Sequence, residues 1–349
     1  MTRKESIFGL THEELSSRLN VFGTPRYRAD QIFSWLYEKL IIDPKSMTSI
    51  PAGLRESISS LFLFDLPKID HEVATGDGTV KYRLALDDGE AIECVAMPDE
   101  EGGGISLCVS SQVGCSLGCV FCKTATMGLH RNLEAAEIVA QVVLMLKRIP
   151  QRPLWVNIVL MGMGEPLLNL DAVLRALEIF NDPHGLALPM RRIAISTAGI
   201  PEGIRRLFSA DNLPRAPRLA ISLNAPDQEL RESLMPIARR HPLTELMAVL
   251  RSLPREVLKR ERLTIEYVLI NRVNDSPAQA RKLADLLRGL RVKVNLIPYN
   301  ECDGLPFESP GEAVIDAFLS EMVKAGISCT VRRSRGSELS AACGQLAVE

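Results

Sequence analysis

The spacing of apolar residues changes twice along the chain, near residue 69 and again near 105, and divides it into three kinds of element. Residues 1–68 read as helical. Thr11-His-Glu-Glu is a capping-box start, with Thr11 at the cap and Glu14 three positions on. Ile32, Phe33, Leu36 and Leu40 share one face of a helix over 27–40, and Pro51 introduces another over 54–63. Between 69 and 104 the period drops to two: Val80-Lys-Tyr-Arg-Leu-Ala-Leu alternates, Asp87-Asp-Gly89 is a turn and 91–97 returns, which predicts a hairpin. Over 105–349, β-branched apolar runs at 156–161, 192–196, 219–223, 263–270, 292–297 and 327–331 lie between amphipathic segments such as 134–146, 172–180 and 278–287. Strand then helix, repeated, predicts an α/β fold of parallel strands with crossover helices. This periodicity allows a barrel or an open doubly wound sheet, and in both the ligands gather at the carboxyl ends of the strands. Gly162-Met-Gly-Glu-Pro166, Ser196-Thr-Ala-Gly199, Ser222-Leu-Asn-Ala-Pro226 and Pro298-Tyr-Asn300 fall at those ends.

Composition narrows the function classes. With 349 residues and 46% hydrophobic content, the chain can bury one large domain and a smaller one. It has no run of about 18 uncharged apolar residues, so a cytoplasmic protein without a membrane span is expected. A net charge of −2 excludes a general polyanion sponge, and any nucleic acid must be held by local basic patches and shape. Arg191-Arg192, Arg239-Arg240-His241 and Lys259-Arg-Glu-Arg262 are candidate phosphate contacts, although such runs are ordinarily plain solvated surface. Eight cysteines are too sparse for a disulfide scaffold, and Cys94, Cys302 and Cys329 read as plain buried thiols.

The remaining cysteines carry the chemistry. In Cys115-Ser-Leu-Gly-Cys119-Val-Phe-Cys122 three thiolates lie within one loop. A four-iron four-sulfur cube normally takes four, so three leave one iron open to something other than protein. A structural zinc site would want four ligands, commonly two CxxC pairs, and only the pair Cys119 and Cys122 exists. A thioredoxin-like redox pair would leave Cys115 unexplained.

CxxxCxxC with Phe121 before its last cysteine resembles the signature of radical S-adenosylmethionine (SAM) enzymes. Cys108-Val-Ser-Ser-Gln-Val-Gly-Cys115, Met161-Gly-Met-Gly-Glu-Pro-Leu-Leu-Asn169, Asn295-Leu-Ile-Pro298 and Ala341-Ala-Cys343-Gly-Gln345 resemble the RlmN/Cfr family of RNA adenosine methyltransferases, its RlmN branch most closely. The resemblance implies a partial (β/α)6 barrel over 105–349, a helical accessory domain over 1–68 that helps hold RNA, and a β-hairpin extension over 69–104. It implies a 4Fe-4S cluster on Cys115, Cys119 and Cys122, and a SAM site at Gly164, Glu165, Ser196, Ser222, Leu223, Asn224 and Asn300. Asn224 stands where relatives carry histidine, which implies hydrogen bonding without proton transfer.

The implied reaction uses two SAM molecules per turnover. One methylates Cys343, whose thiolate Arg332, Arg333 and Arg335 would favour. The other is split to a 5'-deoxyadenosyl radical that takes hydrogen from the methylated Cys343, and the methylene radical adds to carbon 2 of an adenosine in 23S rRNA or tRNA. Cys108 would remove the carbon-2 proton and form a transient disulfide with Cys343, and Glu93 would shuttle protons; Gly102 to Gly104 are extra residues between Glu93 and Cys108. A flavodoxin or ferredoxin electron donor and a monomeric enzyme are expected. The alternatives are Cfr-like methylation at carbon 8, a non-catalytic iron-sulfur or zinc RNA-binding protein, and a radical SAM activase, which would have no use for Cys343.

Overall fold

The computed structural model describes residues 4–99, 103–209, 216–254, 263–333 and 344–347. Its strands are β1 (Glu5–Ser6), β2 (Phe62–Leu63), β3 (Lys68–Ala74), β4 (Val80–Ala85), β5 (Ala91–Pro98), β6 (Ile105–Cys108), β7 (Gln112–Gly114), β8 (Leu129–Asn132), β9 (Val156–Leu160), β10 (Ile193–Thr197), β11 (Arg218–Ser222), β12 (Leu263–Leu269), β13 (Val292–Pro298) and β14 (Ser328–Val331).

Ten of them form one sheet in the order β14-β13-β12-β11-β10-β9-β6-β5-β4-β3. From β6 to β14 every pairing is parallel and each strand lies beside its predecessor in the sheet. A doubly wound sheet reverses its order at a switch point. This one never reverses, so the sequential winding is that of a (β/α) barrel, with β3 and β14 as open edges among the described residues. The crossovers are the helices Ala135–Arg148, Leu170–Asn181, Pro201–Phe208, Leu243–Ser252, Pro277–Leu287 and Glu312–Lys324. They complete a partial (β/α)6 barrel and lead to a seventh parallel strand, β14.

The predicted hairpin is β4 and β5, and it continues the same sheet because β5 runs antiparallel to β6, with Val95 opposite Cys108. A third strand, β3, was not foreseen in the pattern. Only Ile69 and Val73 of its residues are more than weakly apolar and the strand is largely exposed. Its ladder to β4 shifts register between Ile69 and His71, a common feature of edge strands.

In the N-terminal part, the helix His12–Asn20 begins at the expected cap. Thr11 Oγ1 accepts from Glu14 N at 3.3 Å and Glu14 Oε2 accepts from Thr11 N at 3.0 Å. The helix expected over 27–40 is α-helical only over Tyr27–Phe33 and widens to a π turn over Ser34–Glu38. Trp35, Leu36 and Tyr37 are all buried in that turn. This module docks on the barrel's outer helices. The approach is close at Gly9, where a Cβ would stand 3.2 Å from Ala136 Cβ. Arg175 Nη1 donates to Gly9 O and to Glu14 Oε2, both at 3.0 Å, and one hydrophobic cluster runs through both parts.

Candidate active site

A cavity opens at the carboxyl ends of the parallel strands. After β6 the chain does not pass straight into the cysteine loop: β7 and β8 pair antiparallel and hold that loop at its base. Gly114 permits this with φ +72°, since a Cβ there would lie 1.8 Å from Gly128 O. Cys115, Cys119 and Cys122 then line one wall of the cavity, with Gly164 and Glu165 after β9, Ser196 on β10, Ser222 and Asn224 at β11, and Asn300 beyond β13 on the others.

The donor set suits a cluster better than a single ion. A tetrahedral zinc site brings thiolates to within about 4 Å of one another, given Zn–S near 2.3 Å. Among the described residues only His12, Asp30 and His184 bring three metal-binding atoms within 4.8 Å of each other, and the three cavity cysteines do not. Among the described residues, neither a fourth cysteine nor a histidine lines the cavity. Three spread thiols with an open side fit a 4Fe-4S cube with one iron free. Burial pushes the Cys115 thiol up to about 12 and the Cys119 thiol well above its ordinary value; iron ligation there would offset that cost by displacing the proton.

The two glycines of Met161-Gly-Met-Gly-Glu165 are required by the protein itself. A Cβ on Gly162 would lie 2.7 Å from Ser110 Oγ and the Val109 carbonyl, and one on Gly164, whose φ is +98°, would lie 2.5 Å from Gln112 Cβ. The loop is thereby pressed onto 109–112 and Glu165 is aimed inward. Glu165 Oε2 accepts from Ala198 N at 2.8 Å and Oε1 from Leu167 N at 3.1 Å.

Full burial lifts the Glu165 carboxyl to about 7, against the pull of hydrogen bonds from Ala198, Thr197 and Leu167. Its ordinary value is 4.5, so between 4.5 and about 7 the folded chain holds a proton that the unfolded chain has released. Stability therefore falls as pH rises through that window and levels off above it, by roughly 3 kcal/mol at 1.36 kcal/mol per pKa unit. Urea unfolding of the cofactor-free chain at pH 5 and at pH 7.5 should show the decline. Glu165→Gln should remove most of it, and an undiminished slope would place the proton elsewhere.

Asn224 adopts φ 59°, which asparagine tolerates better than most residues. Its Oδ1 accepts from Val268 N at 2.9 Å and its Nδ2 reaches Met235 Sδ at 3.3 Å, so the side chain props β12 and the cysteine-side wall. Ser196 Oγ and Ser222 Oγ lie 3.4 Å apart. Leu223 is wholly buried and its N–H is engaged by Glu266 O, so it does not line the cavity.

Cys108 and Glu93 also stand behind the wall rather than in it. Glu93 is buried against Lys81, with Oε1 2.9 Å from Nζ, and burial raises its carboxyl despite that ion pair. Its Oε2 accepts from Ala347 N at 3.1 Å. Cys343 and Arg335 lie outside the described residues. Gly344 lines the cavity, its carbonyl accepting from Lys123 N at 2.8 Å, and Leu346 O accepts from Thr124 Oγ1 at 2.5 Å. Arg332 faces the cavity, while Arg333 turns away to a two-pronged ion pair with Glu312.

The expectation of three buried thiols is corrected in part. Cys94 is buried, but Cys302 and Cys329 are only half-buried. Arg191-Arg192 precede β10 and so lie at the opposite end of the strand from the cavity; Arg192 stacks on Trp155 and donates to Asn157 Oδ1 at 3.1 Å. Arg239-Arg240-His241 follow Pro236, which sits against the cysteine loop at Gly118, and Lys259-Arg-Glu-Arg262 lie outside the described residues.

Two charged residues of the site were missed. Glu266 on β12 lines the cavity with Oε1 bound to Asn295 and Oε2 buried without a partner; a lone acid in the apolar run 263–269 was the available signal. Arg231 is fully buried on a helix that meets the cysteine loop, Val120 N donating to Leu234 O at 3.0 Å, and its polar neighbours in sequence disguise it as helix surface.

Residues 109–284 match the radical SAM superfamily, and residues 6–63 match the ribosomal RNA large subunit methyltransferase N-terminal domain. A dual-specificity RNA methyltransferase RlmN of Lawsonia intracellularis is 43% identical over 349 residues, spanning 98% of this chain and 96% of the relative. The protein of the same name from Pelobacter propionicus is 43% identical, spanning 99% and 96%. The crystal structure of a radical SAM methyltransferase from Sphaerobacter thermophilus superposes with a TM-score of 0.92 at 44% identity, covering 99% of this chain and 100% of the other.

Proposed function

Since the chain belongs to the RlmN family of radical SAM methyltransferases, we propose that it methylates carbon 2 of an adenosine in 23S rRNA and in tRNA. Membership of the radical SAM superfamily implies a 4Fe-4S cluster and SAM. When bound, the pair supplies one-electron cleavage of SAM to a 5'-deoxyadenosyl radical, which an electron-poor ring carbon needs because it offers no nucleophile.

The protein's part is positioning. Cys115, Cys119 and Cys122 hold the cluster with one iron open. Glu165 receives the amino group of SAM, whose charge offsets the burial that otherwise protonates this carboxyl. Ser196, Ser222 and Asn300 take its carboxylate, ribose and adenine, and Asn224 holds that wall in shape. Cys343 accepts the first methyl group on sulfur, gives up a hydrogen from that methyl, and donates the carbon to the base. The adduct would give one electron back to the cluster and its carbon-2 proton to Cys108, which passes it on through Glu93, bound to the tail at Ala347. Cys108 as thiolate then attacks the sulfur of Cys343, the released methylene carbon takes up a proton to become the methyl group, and a disulfide remains. Two SAM molecules are consumed per turnover. The reading includes a flavodoxin or ferredoxin donor and a monomeric, cytoplasmic enzyme.

One observation carries this reading: the C-terminal tail is threaded into the site. Gly344, the neighbour of Cys343, is bound to the cluster loop at Lys123, and Ala347 is bound to Glu93. A metal-binding module with no catalytic use for its tail has no reason to keep both contacts. Mass spectrometry of rRNA and tRNA from cells with and without the gene tests it. Loss of 2-methyladenosine is expected, whereas loss of 8-methyladenosine would make the chain Cfr-like, and no change in either would leave it an RNA-binding iron-sulfur protein.

A further inference from the structure

Arg231 is the largest fully buried side chain of the described residues, at 0% exposure. It projects from the short helix Gln228–Leu234, whose N-terminus Asp227 caps through Leu230 N. Nη2 donates to Ala198 O, while Nε and Nη1 have no partner among the described residues. The nearby carboxylates are committed elsewhere: Asp227 faces Lys282 at 3.3 Å, Glu232 pairs with Gln228 and Arg239, and Glu165 accepts from Ala198 and Leu167. A buried guanidinium without a counter-charge is among the costliest arrangements a fold can hold. Its helix abuts the cysteine loop, where Val120 N donates to Leu234 O at 3.0 Å, and Cys119 is the ionisable group of that loop whose field it feels.

We propose that Arg231 is a positioning residue for the cluster: its Nε and Nη1 donate hydrogen bonds to sulfur at the Cys119 corner, and its fixed charge makes the cluster easier to reduce. This rests on the reading that Cys115, Cys119 and Cys122 hold a 4Fe-4S cluster. A cube with three thiolates is a net anion and one-electron reduction makes it more so. A cation held beside it in a dry pocket favours the reduced form, and hydrogen bonds to its sulfurs act in the same direction. The orphaned donors and the unbalanced charge are then satisfied by one partner. The same side chain also ties the cluster to the SAM side, since Ala198 accepts from Arg231 and donates to Glu165.

The test is an EPR-monitored redox titration of the reconstituted full chain without SAM, comparing the natural protein with Arg231→Met and Arg231→Lys. The methionine variant should need a potential at least 59 mV more negative to reach half reduction, a tenfold loss of reduced fraction for one electron, and lysine should fall between. An unchanged midpoint in a methionine variant carrying its full iron would overturn the proposal. A role confined to packing would not move the potential. Should the methionine variant fail to hold iron, pulsed EPR of the natural protein grown with nitrogen-15 arginine decides: a nitrogen-15 coupling to the reduced cluster is expected, and its absence overturns the proposal. Failure of the natural protein to bind about four irons would instead remove the cluster reading itself.

Discussion

Cys343→Ala is expected to lower methyl transfer to RNA on the order of 10⁴-fold or more, the usual scale for removing a covalent nucleophile, while iron content and reductive cleavage of SAM persist. The separation follows from the architecture. The thiols proposed to hold iron sit in the loop closed by β7 and β8, and Glu165 is positioned by Leu167 and Ala198. Neither depends on the side chain at 343. The variant should therefore produce 5'-deoxyadenosine under reductant without methylating RNA, measured by chromatography and by labelled methyl incorporation. Full methylation by the alanine variant would end the carrier mechanism. Cys108→Ala should behave differently, accumulating protein covalently joined to RNA, because the adduct forms and cannot be released.

Much of this was legible in the chain because it is local. Ligands three and four residues apart in one loop must face one partner, whatever fold surrounds them. A capping box is likewise a four-residue event, and Thr11 and Glu14 meet as their spacing requires. The strand-helix alternation was readable for the same reason, but its winding was not: only the observed order, in which β9 to β14 never reverse, separates barrel from doubly wound sheet. What escaped was non-local. Glu93 meets Ala347 across 254 residues, and no pattern near either end records it. Arg231 occupies a sequence of polar residues that would suit solvated helix, and only the packing of its helix against Ala198 turns it inward.

Gly164→Ala should cost about 3 kcal/mol of stability and weaken SAM binding tenfold or more, whereas Gly289→Ala should cost about 1 kcal/mol and leave binding unchanged. Both glycines have positive φ, +98° and +81°, where an L side chain costs about 1–2 kcal/mol. They differ in surroundings. Nothing lies within 4 Å of a Cβ on Gly289, but one on Gly164 would be 2.5, 2.7 and 2.8 Å from Gln112 Cβ, Cγ and Oε1. Gln112 is wholly buried and held at both ends of its amide, donating to Asn132 Oδ1 at 2.7 Å and accepting from Glu165 N at 2.8 Å. It cannot swing aside without releasing one of them, so overpacking adds roughly 1–3 kcal/mol. The bond most easily surrendered is the one to Glu165, which fixes where the SAM ammonium would be met. Urea unfolding gives the two stabilities and calorimetric titration of SAM the two affinities. Equal losses in both variants would mean that the contact with Gln112, and with it the proposed aiming of Glu165, is not felt.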